Sequence, residues 1–177
     1  MKKPYIPILI LFLIIQSLSC GSEINEKQGV INKKIREKII AAAEAYVKTQ
    51  LSDPQKAVSE FGIIAISDKY ARFIIDPTAI TPGHIDDDRN MDAIITLYVF
   101  RDQFQTISQQ LILLGSPGNE FTLAGTIESD MKIISVKNGI ITADVPEHSR
   151  DTPLFNCPSC WEVVKFRFKM GELVREE

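Results

Sequence analysis

The sequence predicts an α+β domain in which one N-terminal amphipathic helix packs on a mostly antiparallel sheet of seven or eight strands. Three observations carry this. Residues 30–51 recur in apolar character every three and four positions, the helical period. From residue 55 onward the apolar runs are short, rich in β-branched and aromatic side chains, and separated by turn residues. The connections between those runs are too short for crossover helices, which excludes a doubly wound nucleotide-binding fold and argues for antiparallel pairing.

The first residues form an export signal: Lys2 and Lys3, an apolar run over residues 6–15 interrupted only by Pro7, then the small polar stretch before Cys20. The run is shorter than the roughly 20 apolar residues a permanent span needs. Cleavage before Cys20 removes both lysines and no acid, so the net charge of −3 becomes −5 in the mature chain. That balance, with no basic stripe interleaved by aromatics, argues against nucleic acid as a partner. Residues 1–19 are thus read as a signal peptide, 20–29 as a polar tether of about 30 Å when extended, and 30–177 as a single domain large enough to bury its own core.

In the helix, Ile31, Ile35, Ile39, Ala42, Ala43, Tyr46 and Val47 share one face, opposite Lys33, Lys34, Glu37, Lys38, Glu44 and Lys48. Ser52-Asp53-Pro54 ends it, because proline disfavours helical geometry in the residue before it. Residues 61–66 and 70–75 flank the turn Ser67-Asp68-Lys69 as a hairpin. Asp76-Pro77 and Thr81-Pro82-Gly83 read as a punctuated loop. Residues 93–100 form the most apolar run after the signal: Ala93, Ile95, Leu97 and Val99 lie on one face, and Ile94, Thr96, Tyr98 and Phe100 on the other. Both faces ask to be covered, so this is the central strand. Residues 104–114 make the next strand, and Gly115-Ser116-Pro117-Gly118-Asn119 breaks the chain. Asn138-Gly139 joins strands at 131–136 and 140–145, the strongest short hairpin signal in the chain. Residues 161–170 alternate with Val164, Phe166, Phe168 and Met170 inward and Lys165, Arg167 and Lys169 outward, and Gly171 turns into a last strand at Leu173-Val174. Trp161 is expected to pack on a disulfide or a sheet face.

Two constellations could carry chemistry. The first is the acidic loop His84-Ile85-Asp86-Asp87-Asp88-Arg89-Asn90-Met91-Asp92 leading into the central strand. It resembles the calcium loops of integrin-type β-propeller repeats, Asp-x-Asn-Gly-Asp-Gly-x-x-Asp followed by an apolar strand. Aligned on Asp92, the oxygen donors are Asp86, Asp88 and Asp92. His84 stands where the first aspartate belongs, and Asp87 and Arg89 replace the glycines. Imidazole is a poor ligand for a hard cation, and Arg89 adds positive charge and loses the easy left-handed turn. Calcium is therefore expected to bind weakly or not at all, the aspartates instead capping backbone amides in tight turns.

The second is Cys157-Pro158-Ser159-Cys160. In an oxidising compartment these two thiols are expected to form a disulfide. A dithiol oxidoreductase is the alternative, but such motifs open a helix, and here a strand-like run begins at Trp161. Zinc completed by His84 or His148 lacks ligand spacing. Glu147-His148 offers a loop acid or base, without a nucleophile elbow, a zinc-protease helix or a P-loop beside it.

Ser17-Leu18-Ser19-Cys20 resembles a bacterial lipoprotein signal, with Leu18 one place later than usual and Ser17 in its place. The resemblance implies that Cys20 is acylated. Ser17 and Ser19 also satisfy the small-x-small rule of ordinary signal peptidase, which would give a soluble periplasmic product. With the helix ending in Leu51-Ser52-Asp53-Pro54, the acidic loop and the late cysteine pair, the chain resembles the small lipoproteins of Gram-negative envelopes. That implies a lipid anchor in the membrane, with Gly21 favouring the outer membrane, and another envelope protein as partner. The resemblance brings no activity with it, and the leading expectation is a non-catalytic binding or structural role with no obligate cofactor. The runner-up is a periplasmic thiol-redox or other enzyme using Cys157 and Cys160.

Overall fold

The computed structural model describes residues 31–60, 62–101, 105–146 and 161–176. Residues from Ile31 onward belong to one compact unit. Its elements are α1 (Lys33–Gln50), β1 (Val58–Glu60), β2 (Ile63–Ser67), β3 (Ala71–Gly83), β4 (Asp92–Arg101), β5 (Gln105–Ser116), β6 (Glu120–Glu128), β7 (Lys132–Lys137), β8 (Ile140–Pro146), β9 (Trp161–Lys169) and β10 (Glu172–Arg175).

The α+β reading holds, with one helix among the described residues and every strand pair antiparallel. The expected single sheet of seven or eight strands is wrong. The strands form two sheets, six-stranded in the order β1-β2-β3-β4-β5-β6 and four-stranded in the order β10-β9-β8-β7. The break falls after β6, where the chain leaves the sheet plane. There Ser129 N donates to the Ser108 carbonyl, and buried Gln110 donates from Nε2 to the Met131 carbonyl at 3.1 Å while its Oε1 accepts from Thr96 Oγ1.

Asn32 caps α1 by accepting from Lys34 N at 2.9 Å, satisfying one free amide of the first turn. The buried stripe Ile39, Ala43 and Val47 lies on Ile66, Phe73, Ile75, Ile95, Leu97, Val99, Leu111 and Leu113 of the first sheet. Alanine at position 43 lets the helix axis approach the strands. Lys38 reaches the Gly118 carbonyl and Glu120 at the β5–β6 turn. At the other end Ser52 N donates to Asp68, whose second oxygen accepts from Tyr70 N and Ala71 N, so one carboxylate fixes both the helix exit and the β2–β3 turn.

β4 is an interior strand paired with β3 and β5, as its sequence requires. Its two faces are covered unequally. Ala93, Ile95, Leu97 and Val99 pack under the helix, and Ile94 joins Ile85, Ile112, Val136 and Ile141 in a second core between the sheets. Tyr98 on that second face stays partly open. The supposed loop at 76–83 is strand. β3 continues through Pro77 and Pro82 with a register shift between Ile75 and Ile80. Both prolines fall beyond the residues paired with β2, where β3 is itself an edge and needs no second ladder of donors.

β1 is too short to register as a pattern. In β6 the extra residue Ala124, between the pairs Ile112–Gly125 and Leu113–Leu123, breaks the alternation that marks a strand. Asn138 and Gly139 both take positive φ, as a two-residue β-hairpin turn demands. Met170, expected inward, sits fully exposed at positive φ in the β9–β10 turn, and Leu173 takes the inward role.

Candidate metal centre

The acidic loop bridges the two sheets at the end of β3. Asp92, the first residue of β4, is fully buried, and both its oxygens are engaged. Oδ2 accepts from Ile85 N at 2.6 Å and from Asp86 N at 3.4 Å, and Oδ1 accepts from Gly115 N at 2.8 Å. Buried amides need such partners, and a carboxylate acceptor makes the bonds stronger than neutral ones. Gly115 is required here: a Cβ on it would lie 2.0 Å from the Met91 carbonyl oxygen.

The rest of the loop winds on its own side chains. Asp86 Oδ1 accepts from Asp88 N at 3.0 Å, and Asp88 accepts from both the backbone and the side-chain amide of Asn90. These are the turns aspartate favours by mimicking a backbone acceptor two residues on. His84 Nδ1 lies 2.7 Å from the Asn90 carbonyl oxygen. That oxygen can only accept, so Nδ1 carries the proton. The His84 carbonyl in turn accepts from Gly139 N at 2.8 Å, tying the loop to the β7–β8 turn. His84, Asp86, Asp87, Asp88, Arg89 and Asn138 line an open cleft of about 380 Å³.

Asp86, Asp88 and Asp92 each present an oxygen within 4.8 Å of the others, so the three residues aligned from the sequence do converge. Such a separation suits oxygens on one calcium ion, whose ligand distances are about 2.3–2.6 Å. The donors are, however, largely committed. Asp92 accepts three amides and Asp88 is held by Asn90 on both oxygens, while calcium takes about 6–8 oxygens. Partial burial raises the Asp86 carboxyl above its ordinary range, helped by the charges of Asp92 and Asp88 and opposed by the Asp88 amide. Bonds from the Asn90 amide and side chain hold Asp88 below it. The set fits a cation as an occasional guest on a loop that is already self-satisfied. His84, placed by alignment at the first ligand position, is not in the converging group.

Cys20, Cys157, Cys160, Glu147 and His148 lie outside the described residues. Trp161, expected to pack on a disulfide or a sheet face, stands 46% exposed on the outer face of the second sheet. The sequence carried no sign of Gly115 as the partner of Asp92, since the contact joins positions far apart in the chain.

No protein-family model matches this chain, nor does any curated protein or solved structure.

Proposed function

We propose that this chain is a non-catalytic lipoprotein of the Gram-negative envelope, anchored through acylated Cys20, favouring the outer membrane, and acting by binding or supporting another envelope component. The observation that carries the reading is the sequence of residues 1–20: two lysines, an uncharged apolar run, and Ser17-Leu18-Ser19-Cys20. Residues 20–29, polar after Cys20, would then serve as the tether. The commitment of the acidic loop to backbone amides supports a structural use of Asp86, Asp88 and Asp92, with calcium at most a weak ligand.

The Cys-Pro-Ser-Cys string keeps the thiol-redox reading as the second one. Against it stands β9, which begins at Trp161 directly after Cys160, where a redox motif would open a helix whose N-terminus lowers the thiol pKa. That geometry supports a disulfide between Cys157 and Cys160 that fixes the turn into β9.

Metabolic labelling with palmitate in a Gram-negative host tests the anchor. The wild type takes label and sediments with membranes, and Cys20→Ala does neither. A Cys20→Ala variant that keeps both label and membrane association removes the reading.

A further inference from the structure

Residues opposite one another in an antiparallel pair share a face. Pairing of β8, β9 and β10 therefore puts Trp161, Val163, Lys165, Arg167 and Lys169 of β9 on the side of the second sheet turned away from the inter-sheet core, with Val174 across from Arg167. Val164, Phe166 and Phe168 fill the inner side. Exposures of 61% for Val163, 46% for Trp161 and 45% for Val174 leave an apolar strip in solvent. Lys165, Lys169 and Lys132 stand exposed around it, none in an ion pair among the described residues. Arg167 is paired with Glu176, and Asp144 and Glu172 are the other acids on this face.

We propose that this outer face docks on an anionic lipid surface, its lysines meeting headgroup phosphates while Trp161 and Val163 enter the interfacial zone. Lys132 lies opposite Asp144 and Lys169 opposite Glu172 in the ladder. With Lys137, Lys165 and Arg167, however, the face holds more cations than its acids Asp144, Glu172 and Glu176 offset. On a chain whose net charge is −3 this surplus gives complementarity to a negative plane. Lysine stems lie along apolar surface with the ammonium in water, and tryptophan prefers the boundary between headgroup and hydrocarbon. A sheet face presents these groups side by side on a broad surface, which suits a bilayer better than a narrow peptide. The inference rests on the envelope reading and gives the anchored domain a second, reversible contact that sets how it lies on the membrane.

The test uses residues 31–177, the compact unit, so no acyl chain takes part. Vesicles of phosphatidylcholine are compared with vesicles that also contain phosphatidylglycerol, at low and high salt. Trp161, the chain's single tryptophan, reports contact. The unit should sediment with the anionic vesicles at low salt, with a blue shift of tryptophan emission, and stay free of the neutral ones. Lys165→Glu with Lys169→Glu should weaken binding about tenfold or more, and Val163→Asp should abolish the emission shift. Lys33→Glu with Lys34→Glu, on the helix, should change neither. Absence of binding to anionic vesicles, equal binding by the Lys165→Glu/Lys169→Glu variant, or an emission shift with polyglutamate but none with vesicles overturns the proposal. Palmitate labelling of Cys20 is read separately, so failure of the docking face and failure of the anchor are distinguishable.

Discussion

Asp92 and Gly115 are joined by a 2.8 Å hydrogen bond from the Gly115 amide to Asp92 Oδ1, which fastens the start of β4 to the end of β5 inside the protein. The same carboxylate holds the Ile85 and Asp86 amides, so one buried side chain sets the path of the whole acidic loop.

Replacing Asp92 by alanine should therefore destabilise the protein by about 2–4 kcal/mol, the consequence of leaving buried amides without an acceptor. Asp92→Asn keeps one oxygen acceptor and should lose less. Urea unfolding followed by circular dichroism gives both numbers. An alanine variant within about 0.5 kcal/mol of wild type would show that water replaces the carboxylate and that the loop is not organised around it.

Gly115→Ala should be destabilising by about 2–3 kcal/mol, because the added methyl meets the Met91 backbone, which cannot swing aside. Gly118→Ala serves as the contrast. There the space is open and only the positive φ is strained. The difference in urea midpoint separates steric contact from backbone strain.

Calcium should move the melting temperature little against chelator, since Asp88 and Asp92 already spend their oxygens on amides. Differential scanning fluorimetry decides this. A rise of several degrees, lost in Asp86→Asn, would mean that these carboxylates release their amides to the ion.

Acid should expose opposite contributions from two aspartates. Asp68 is held below its ordinary range by amide bonds from Tyr70, Ala71 and Ser52. Its folded pKa is depressed, so its stabilisation is present above the unfolded value of about 3.9 and is lost as pH falls through the folded one. Burial raises Asp86, which makes its charge a burden above the folded pKa and none below the unfolded one. Asp68→Asn should thus weaken the protein at pH 7 and converge with wild type in strong acid. Asp86→Asn should match or exceed wild type at pH 7 and lose that margin in acid. Urea midpoints across the pH range test both signs.

With Cys157 and Cys160 paired as proposed, reduction should cost only about 2 kcal/mol by loop entropy and leave the fold standing. In the reduced protein the thiol pKa values and an insulin-reduction assay separate a staple from a catalyst. An acidic thiol with turnover would promote the redox reading.

Much of this architecture was legible because side-chain period reports burial directly. The stripe Ile39, Ala43, Val47 and the run Ala93 to Val99 need no tertiary information to be placed. Asn138-Gly139 announced its hairpin through the positive φ values that both of its residues readily adopt. Where reading failed, the structure had departed from the period or hidden its partner. Pro77 and Pro82 looked like breakers because nothing local says that β2 stops short of them. Ala124 inserts into β6 and shifts its phase, and Met170 extends an alternation one residue past the turn that ends it. The convergence of Asp86, Asp88 and Asp92 and the capping of nearby amides by Asp86 and Asp88 followed from their spacing, whereas the bond from Asp92 to Gly115, over twenty residues away, did not.

Every strand in both sheets pairs with its neighbour in sequence, β1 through β6 and then β7 through β10. Loop closure is therefore local for each new pairing, the longest connection being residues 147–160 between β8 and β9, and the search for partners grows little harder as the chain lengthens. The helix is the exception. It is made first, yet its buried stripe and Lys38 await β3, β5 and the β5–β6 turn, so it must remain uncovered until most of the first sheet exists. A chain emerging from its N-terminus can add strands one after another, and the apolar face of the helix is the surface a chaperone would have to shield in the meantime.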